Sequence, residues 1–191
     1  MILRQSPKGM EATAGQAPDS VVEISPSEVS GEVSPPGDQA DEAVPPSSMA
    51  HKRPQSVLVV ICTRGGEFLM LRRVCPSQFW QSVTGSLRPG ESPRLAALRE
   101  VREETGLEAG SGLIDLRRSV LFPIVRAWQA RYAPRVRFNR EYWFALILET
   151  RRLIRLNPDE HLEYRWLPAP RAAALATSWT NRDAIRALAV C

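Results

Sequence analysis

Cysteine is scarce in this chain of 191 residues: Cys62, Cys75 and Cys191 are all there is. An odd set without metal-ligand spacing excludes a zinc ribbon and a disulfide scaffold, and reads as ordinary thiols in a reducing compartment. No apolar run approaches the roughly 18 residues a membrane helix needs. The N-terminus lacks the apolar core of a secretory signal. These absences point to a cytoplasmic protein without a membrane partner. Histidine is scarcer still, with only His51 and His161. His161 has no acid–base partner visible in the sequence and reads as structural.

Residues 1–48 lack Phe, Trp and Tyr and hold seven of the sixteen prolines. Acidic Pro/Ser-rich sequence of this kind cannot bury enough apolar surface to offset its ordering entropy. It is acidic and poor in arginine, which argues against an organellar transit peptide. The chain therefore divides into a disordered extension over residues 1–50 and one domain over residues 51–191. Met49 stands where the composition changes, which makes it a candidate start. The extension to residue 48 carries two basic and eight acidic residues, a net of −6 against +4 for the whole chain, which leaves +10 on the remainder. A basic domain fits a polyanionic ligand. Its charges are scattered and no aromatic–basic RNA-binding motif is present, so the fitting partner is a small phosphate compound rather than a nucleic acid.

With 43% hydrophobic residues the chain can bury a sizeable core. The β-branched run Ser56 to Thr63 predicts a buried central strand, and Glu67 to Arg72 its hairpin partner across Arg64-Gly65-Gly66. Further strands are predicted over Trp80 to Leu87, Leu113 to Ile124, Glu141 to Glu149 and Tyr164 to Leu167. Helices are predicted over Pro170 to Ala176 and Asn181 to Val190. Trp80, Trp143 and Trp166 read as core. The mixture is α/β, with a sheet between helices.

The most informative stretch is Gly85 to Leu107, GSLRPGESPRLAALREVREETGL. Ser92 can cap a helix, Pro93 suits its first turn, and Gly106 suits the position just past its end. Leu98 and Val101, with Leu95 nearby, fall on the inward side. Glu100, Glu103 and Glu104 stand at i, i+3 and i+4 and share a face. Arg99 precedes Glu103 by four residues and can pair with it. Three carboxylates on one face repel one another and favour protonation of at least one. A hard divalent cation removes that repulsion, and Mg²⁺ does so while binding phosphate oxygens. The glycine-containing loop Gly85 to Gly90 lets backbone approach a phosphate chain.

Gly85, Glu91, Arg99-Glu100-Val101, Glu103-Glu104 and Gly106-Leu107 stand at the fixed spacings of the Nudix box, so the chain resembles the Nudix hydrolases. The resemblance implies a mixed sheet sandwiched between helices and a hydrolase of pyrophosphate linkages. It extends to KRPQSVLVVI, FWQSVTGS, RYAP, then Asn139, Glu141, Trp143 and Phe144, and on to EHLEYRWLPAP and SWTNR, which are similar to a bacterial folate-pathway subgroup acting on dihydroneopterin triphosphate. The resemblance implies Mg²⁺, with Mn²⁺ as a substitute, at Glu100, Glu104 and Glu160. It implies a catalytic Glu103 held by Arg99, and substrate contacts from Lys52, Arg73, Thr84, Phe122 in the Leu121 to Ile124 segment, and Ser178. Leu121 and Pro123 stand where the subgroup's pattern has acidic residues. The implied reaction gives dihydroneopterin monophosphate and diphosphate. The alternatives are a pyrophosphohydrolase of dATP and related triphosphates, and a non-catalytic nucleotide-binding module, against which the intact glutamates argue. Neither the oligomeric state nor the number of metal ions can be read from the sequence.

Removal of residues 1–48, leaving a chain that begins at Met49, is expected to leave turnover unchanged. Its melting temperature should move by less than about 2 °C, the shift that somewhat under 1 kcal/mol gives a domain of this size. Thermal unfolding of both proteins checks this, and a larger drop would show a docked extension.

Overall fold

The computed structural model describes residues 51–189 and the backbone of Val22–Glu23. The disordered extension expected over residues 1–50 lies outside the described residues, apart from that two-residue strand, β1 (Val22–Glu23), paired antiparallel with β8 (His161–Pro168). The sheet runs β1-β8-β3-β2-β7-β6, with β2 (Gln55–Thr63), β3 (Glu67–Arg73), β6 (Leu113–Pro123) and β7 (Phe138–Leu148). β2 and β7 are parallel, and the remaining pairs are antiparallel, so the sheet is mixed as expected.

The central position of β2 follows from its sequence. From Val57 to Thr63 every residue is buried, as a strand covered on both faces must be. Val57, Val59 and Ile61 pack beneath α1 (Pro93–Thr105) with Phe144 and Val101. Leu58 and Val60 pack with Trp143 and Ile185 beneath α2 (Ala169–Leu175) and α3 (Trp179–Ala189). The alternation along one strand thus feeds two cores, one on each face of the sheet. Trp80, Trp143 and Trp166 are buried, as expected.

The strand expected over Trp80 to Leu87 is divided. β4 (Trp80–Gln81) pairs with β3, whereas β5 (Val83–Ser86) pairs with β2. Ser82 turns the chain between them, its amide donating to Asn181 Oδ1 at 2.6 Å. The side chain of a residue far away in the sequence divides the run, so local pattern could not show the division. β6 contains an irregularity between Asp115 and Arg118, where Arg117 takes φ 52° and its amide donates to Asp115 Oδ1. β7 begins at Phe138, three residues earlier than expected, and two 3-10 turns, Gly110–Gly112 and Arg126–Arg131, carry no strong pattern in the sequence.

α1 starts and stops where expected. Ser92 Oγ accepts from the Leu95 amide at 3.3 Å, and Gly106 closes the helix at φ 70° with its amide on the Arg102 carbonyl. Leu95 corrects the expected inward face, since it is 58% exposed while Ala96, Ala97 and Val101 are fully buried. Small side chains bring the helix axis close to the sheet, and the wider leucine is left outside. No described helix is long and apolar enough to cross a membrane.

Candidate active site

The site is built where β5 meets the buried side of α1. Gly85 pairs with Val57, and a Cβ added to it would lie 1.8 Å from the Glu100 carboxyl carbon. Glycine is therefore required for Glu100 to rest against the strand. Arg99 organises the neighbouring carboxylates. Its Nε and one terminal nitrogen grip Glu91 at 2.8 and 2.9 Å. The other terminal nitrogen reaches Glu100 at 2.6 Å and Glu103 at 3.0 Å, and the Ser86 carbonyl accepts a further bond at 3.1 Å. Those contacts match the five N–H donors a guanidinium has. The Arg99–Glu103 pair expected at i, i+4 is thus one arm of a larger arrangement.

Glu91 ends the loop before α1. It also accepts from the Arg88 amide at 2.8 Å, and Arg99 holds its carboxyl down at about 2. Glu103, more exposed, lies between Arg99 and Arg88, whose guanidinium is 2.9 Å from it. Burial pushes Glu100 up to about 7, with Arg99 opposing and Glu104 and Glu103 adding repulsion. Glu104 is 1% exposed, and burial raises its carboxyl well above the usual range. The charge of Glu160 raises it further, while the Thr84 amide and the Arg73 charge pull the other way.

Glu104, Glu160 and His161 form a group whose ligand atoms lie within 4.8 Å of one another. His161 Nε2 is 3.2 Å from Glu104 Oε2, and burial lowers the imidazole to about 4, so it is neutral at pH 7. The contact is close but poorly aligned, so Glu104 Oε2 is buried without a well-formed hydrogen bond. A neutral imidazole keeps one acceptor nitrogen, and that lone pair with the carboxylate oxygens of Glu104 and Glu160 fits a cation. The structure gives His161 a neighbour that the sequence does not show. That neighbour is 57 positions away in the sequence and is met only through the β3–β8 pairing.

The structure brings Glu104 and Glu160 together. Glu100 stands one turn away, its carboxylate turned to Arg99. Arg73 donates to the Cys75 carbonyl at 3.1 Å, and its charge is felt at Glu104 and His161. Thr84 offers its amide to Glu104, but its side chain shares the other sheet face with Leu58, its partner across β2. Phe122 and Ser178 belong to that second face as well, Phe122 opposite Asn139 and Ser178 at the start of α3. Lys52 is exposed, its amide on the Arg131 carbonyl. Sequence reasoning counted Glu141 in the resemblance and in the strand expected over Glu141 to Glu149 but gave it no role in the site; it is a buried carboxylate on β7.

The NUDIX domain model matches residues 52–188. The chain belongs to the Nudix family. The dihydroneopterin triphosphate diphosphatase of Escherichia coli is 48% identical to it over 139 residues, which is 71% of this chain and 91% of that protein. The Haemophilus influenzae protein of the same name is 37% identical over 142 residues, 72% of this chain and 89% of its own length. The solved E. coli dihydroneopterin triphosphate pyrophosphohydrolase superposes with a TM-score of 0.69 at 46% identity, covering 73% of this chain and 97% of that one. Within the Nudix box of this chain, the arginine and Glu91 fix the loop, and the last glutamate reaches the cluster with Glu160.

Glu91 tests the loop's anchorage. Its carboxyl is depressed in the folded state, so its stabilisation is present above about 4.5 and is lost as pH falls through about 2. Glu91→Gln should destabilise the domain at pH 7 by about 1–3 kcal/mol, the worth of charge-assisted hydrogen bonds. The gap to wild type should narrow as pH drops across that window. Denaturant titrations of both proteins at several pH values check this.

Proposed function

We propose that this Nudix protein hydrolyses dihydroneopterin triphosphate to dihydroneopterin monophosphate and diphosphate, as a cytoplasmic enzyme of folate biosynthesis. The observation that carries the reading is the 48% identity to an enzyme named for that substrate, over 91% of its length. The carboxylate site supports it. Glu104 and Glu160, with Glu100 beside them, are our candidates to hold Mg²⁺, and Mn²⁺ would substitute. Such an ion, when bound, neutralises charge on phosphate oxygens and lowers the pKa of a bound water.

The chain's own residues have distinct tasks in this reading. One water adds across the anhydride between the α- and β-phosphates. Glu103 is our candidate to orient that water and accept its proton, because it is exposed and fixed from two sides by Arg99 and Arg88. All five donors of Arg99 are committed to protein oxygens, so it positions Glu91, Glu100 and Glu103 instead of gripping phosphate. Arg73 and Lys52 are left to hold the phosphate chain. Thr84, Phe122 and Ser178 are left for the ring.

Glu104→Gln removes one unit of charge at nearly constant volume. It should lower turnover at saturating Mg²⁺ by at least about a hundredfold, because charge stabilisation by a metal is worth several kcal/mol. The melting temperature should not fall. Activity within about threefold of wild type, less than 1 kcal/mol of transition-state binding, would remove Glu104 from the site.

The substrate is tested by a panel of triphosphates. The specificity constant for dihydroneopterin triphosphate should exceed that for dATP by at least about tenfold, roughly 1.4 kcal/mol, and Ser178→Ala should lower the ratio without abolishing hydrolysis. Equal or better use of dATP would replace the pterin reading with a general nucleotide pyrophosphohydrolase. Absence of phosphate or diphosphate release from every triphosphate would favour a binding module.

A further inference from the structure

Glu141 takes no part in the chemistry above, yet its environment is a costly one for a carboxylate with no task. It is 5% exposed on β7, on the sheet face opposite to α1. Trp143 Nε1 donates to its Oε1 at 3.2 Å, and the Thr180 hydroxyl donates to it as well. Both partners are neutral. A carboxylate buried among neutral donors is costly to keep ionised, and burial pushes this one up to about 7. A glutamine at this position would accept from the same indole and hydroxyl without the cost of a buried charge. Among the described residues its recorded donors are this indole and hydroxyl alone, so the carboxylate has room for a further donor.

Its surroundings indicate where that donor comes from. The register sets Glu141 between Ser56 of β2 and Val120 of β6. Thr84 and Phe122 lie on the same sheet face, one pair of residues along on β5 and β6. Ser178 Oγ is 3.2 Å from Thr180 Oγ1, which links it to Glu141. Three residues expected from sequence to touch the substrate thus come from three elements to the neighbourhood of one buried acceptor. Thr84 joins this place to the carboxylate site, since its amide acts on Glu104 across the thickness of β5. A molecule with a phosphate chain at one end and a ring at the other would span from one to the other.

We propose that Glu141 is the specificity-determining acceptor for a ring edge that presents an amino group beside a lactam N–H. Pterins and guanine share that edge. Two adjacent donors meet the two oxygens of a carboxylate in a bidentate arrangement. Adenine offers one amino donor beside a ring-nitrogen acceptor, so the second oxygen would face a lone pair and the pairing would be penalised. The choice of a pterin among such rings rests on the substrate reading above; the assignment of the edge to Glu141 does not.

The test compares wild type, Glu141→Gln and Glu141→Asp on dihydroneopterin triphosphate, dGTP and dATP at saturating Mg²⁺, with thermal unfolding alongside. Glu141→Gln should lose at least about tenfold in kcat/KM on the first two, mainly through KM, and stay within about threefold on dATP. Glu141→Asp should keep the wild-type order of preference. Equal losses on all three substrates, or no loss on any, would overturn the proposal. Should Glu141→Gln fail to fold, Thr180→Val removes the hydroxyl that orients the carboxylate and should shift the same ratios in the same direction. If wild type does not favour dihydroneopterin triphosphate over dATP but Glu141→Gln still lowers dGTP relative to dATP, the pterin reading falls and the role of Glu141 stands. If wild type favours the pterin and Glu141→Gln leaves every ratio unchanged, the role of Glu141 falls alone.

Discussion

The guanidinium of Arg99 is the interaction on which the site depends. Three carboxylates and a carbonyl converge on it, and its five donors leave none over. Ser86 ends β5, Glu91 belongs to the loop, and Glu100 and Glu103 belong to the helix. One planar cation thus fixes the angle at which α1 leaves the strand that precedes it. Its half-buried position strengthens each pair relative to a surface salt bridge, because the surrounding dielectric is lower and the geometry with Glu91 is bidentate. Lysine, a point charge with three donors, could not serve both the loop and the helix.

What Arg99 does not reach is as informative. It opposes the burial of Glu100 but makes no contact with Glu104, whose carboxyl is deeper and is met by the Thr84 amide and a neutral imidazole. The box thus contains two kinds of carboxylate. Glu91 has its counter-charge within the protein and is fully ionised. Glu104 has none in contact and has Glu160 for a neighbour. A fold that resolves the first repulsion internally and leaves the second standing is arranged so that an external cation completes it.

Much of this was legible in the sequence because it is local. The helix start at Ser92, its end at Gly106 and the i, i+4 relation of Arg99 to Glu103 are set by neighbours within a turn or two. The continuous apolar run of β2 announced a strand covered on both faces. What escaped was set by tertiary contacts. Asn181 divides the run at Ser82 from 99 residues away. His161 meets Glu104 only after β8 pairs with β3. Leu95 satisfied the helical period yet faces solvent, because alanines at 96 and 97 already fill the close approach to the sheet. The Nudix spacings identified the residues of the box but could not show that Arg99 is saturated, which is a statement about distances.

The sheet itself separates two groups of polar residues. Along β5 successive residues face opposite sides, so Gly85 makes room for Glu100 beneath α1 while Thr84 turns its side chain toward α3. The carboxylates of the box belong to the first side, on α1 and the loop before it. The second side carries hydroxyls, amides and one buried carboxylate, Ser56, Thr84, Asn139, Thr180, Asn181 and Glu141, and no cation among those six. A single change of strand register at β5 would exchange the two faces and place Thr84 against Glu100. The pairing of Val57 with Gly85 therefore fixes both the approach of α1 and the face on which the Thr84 side chain lies.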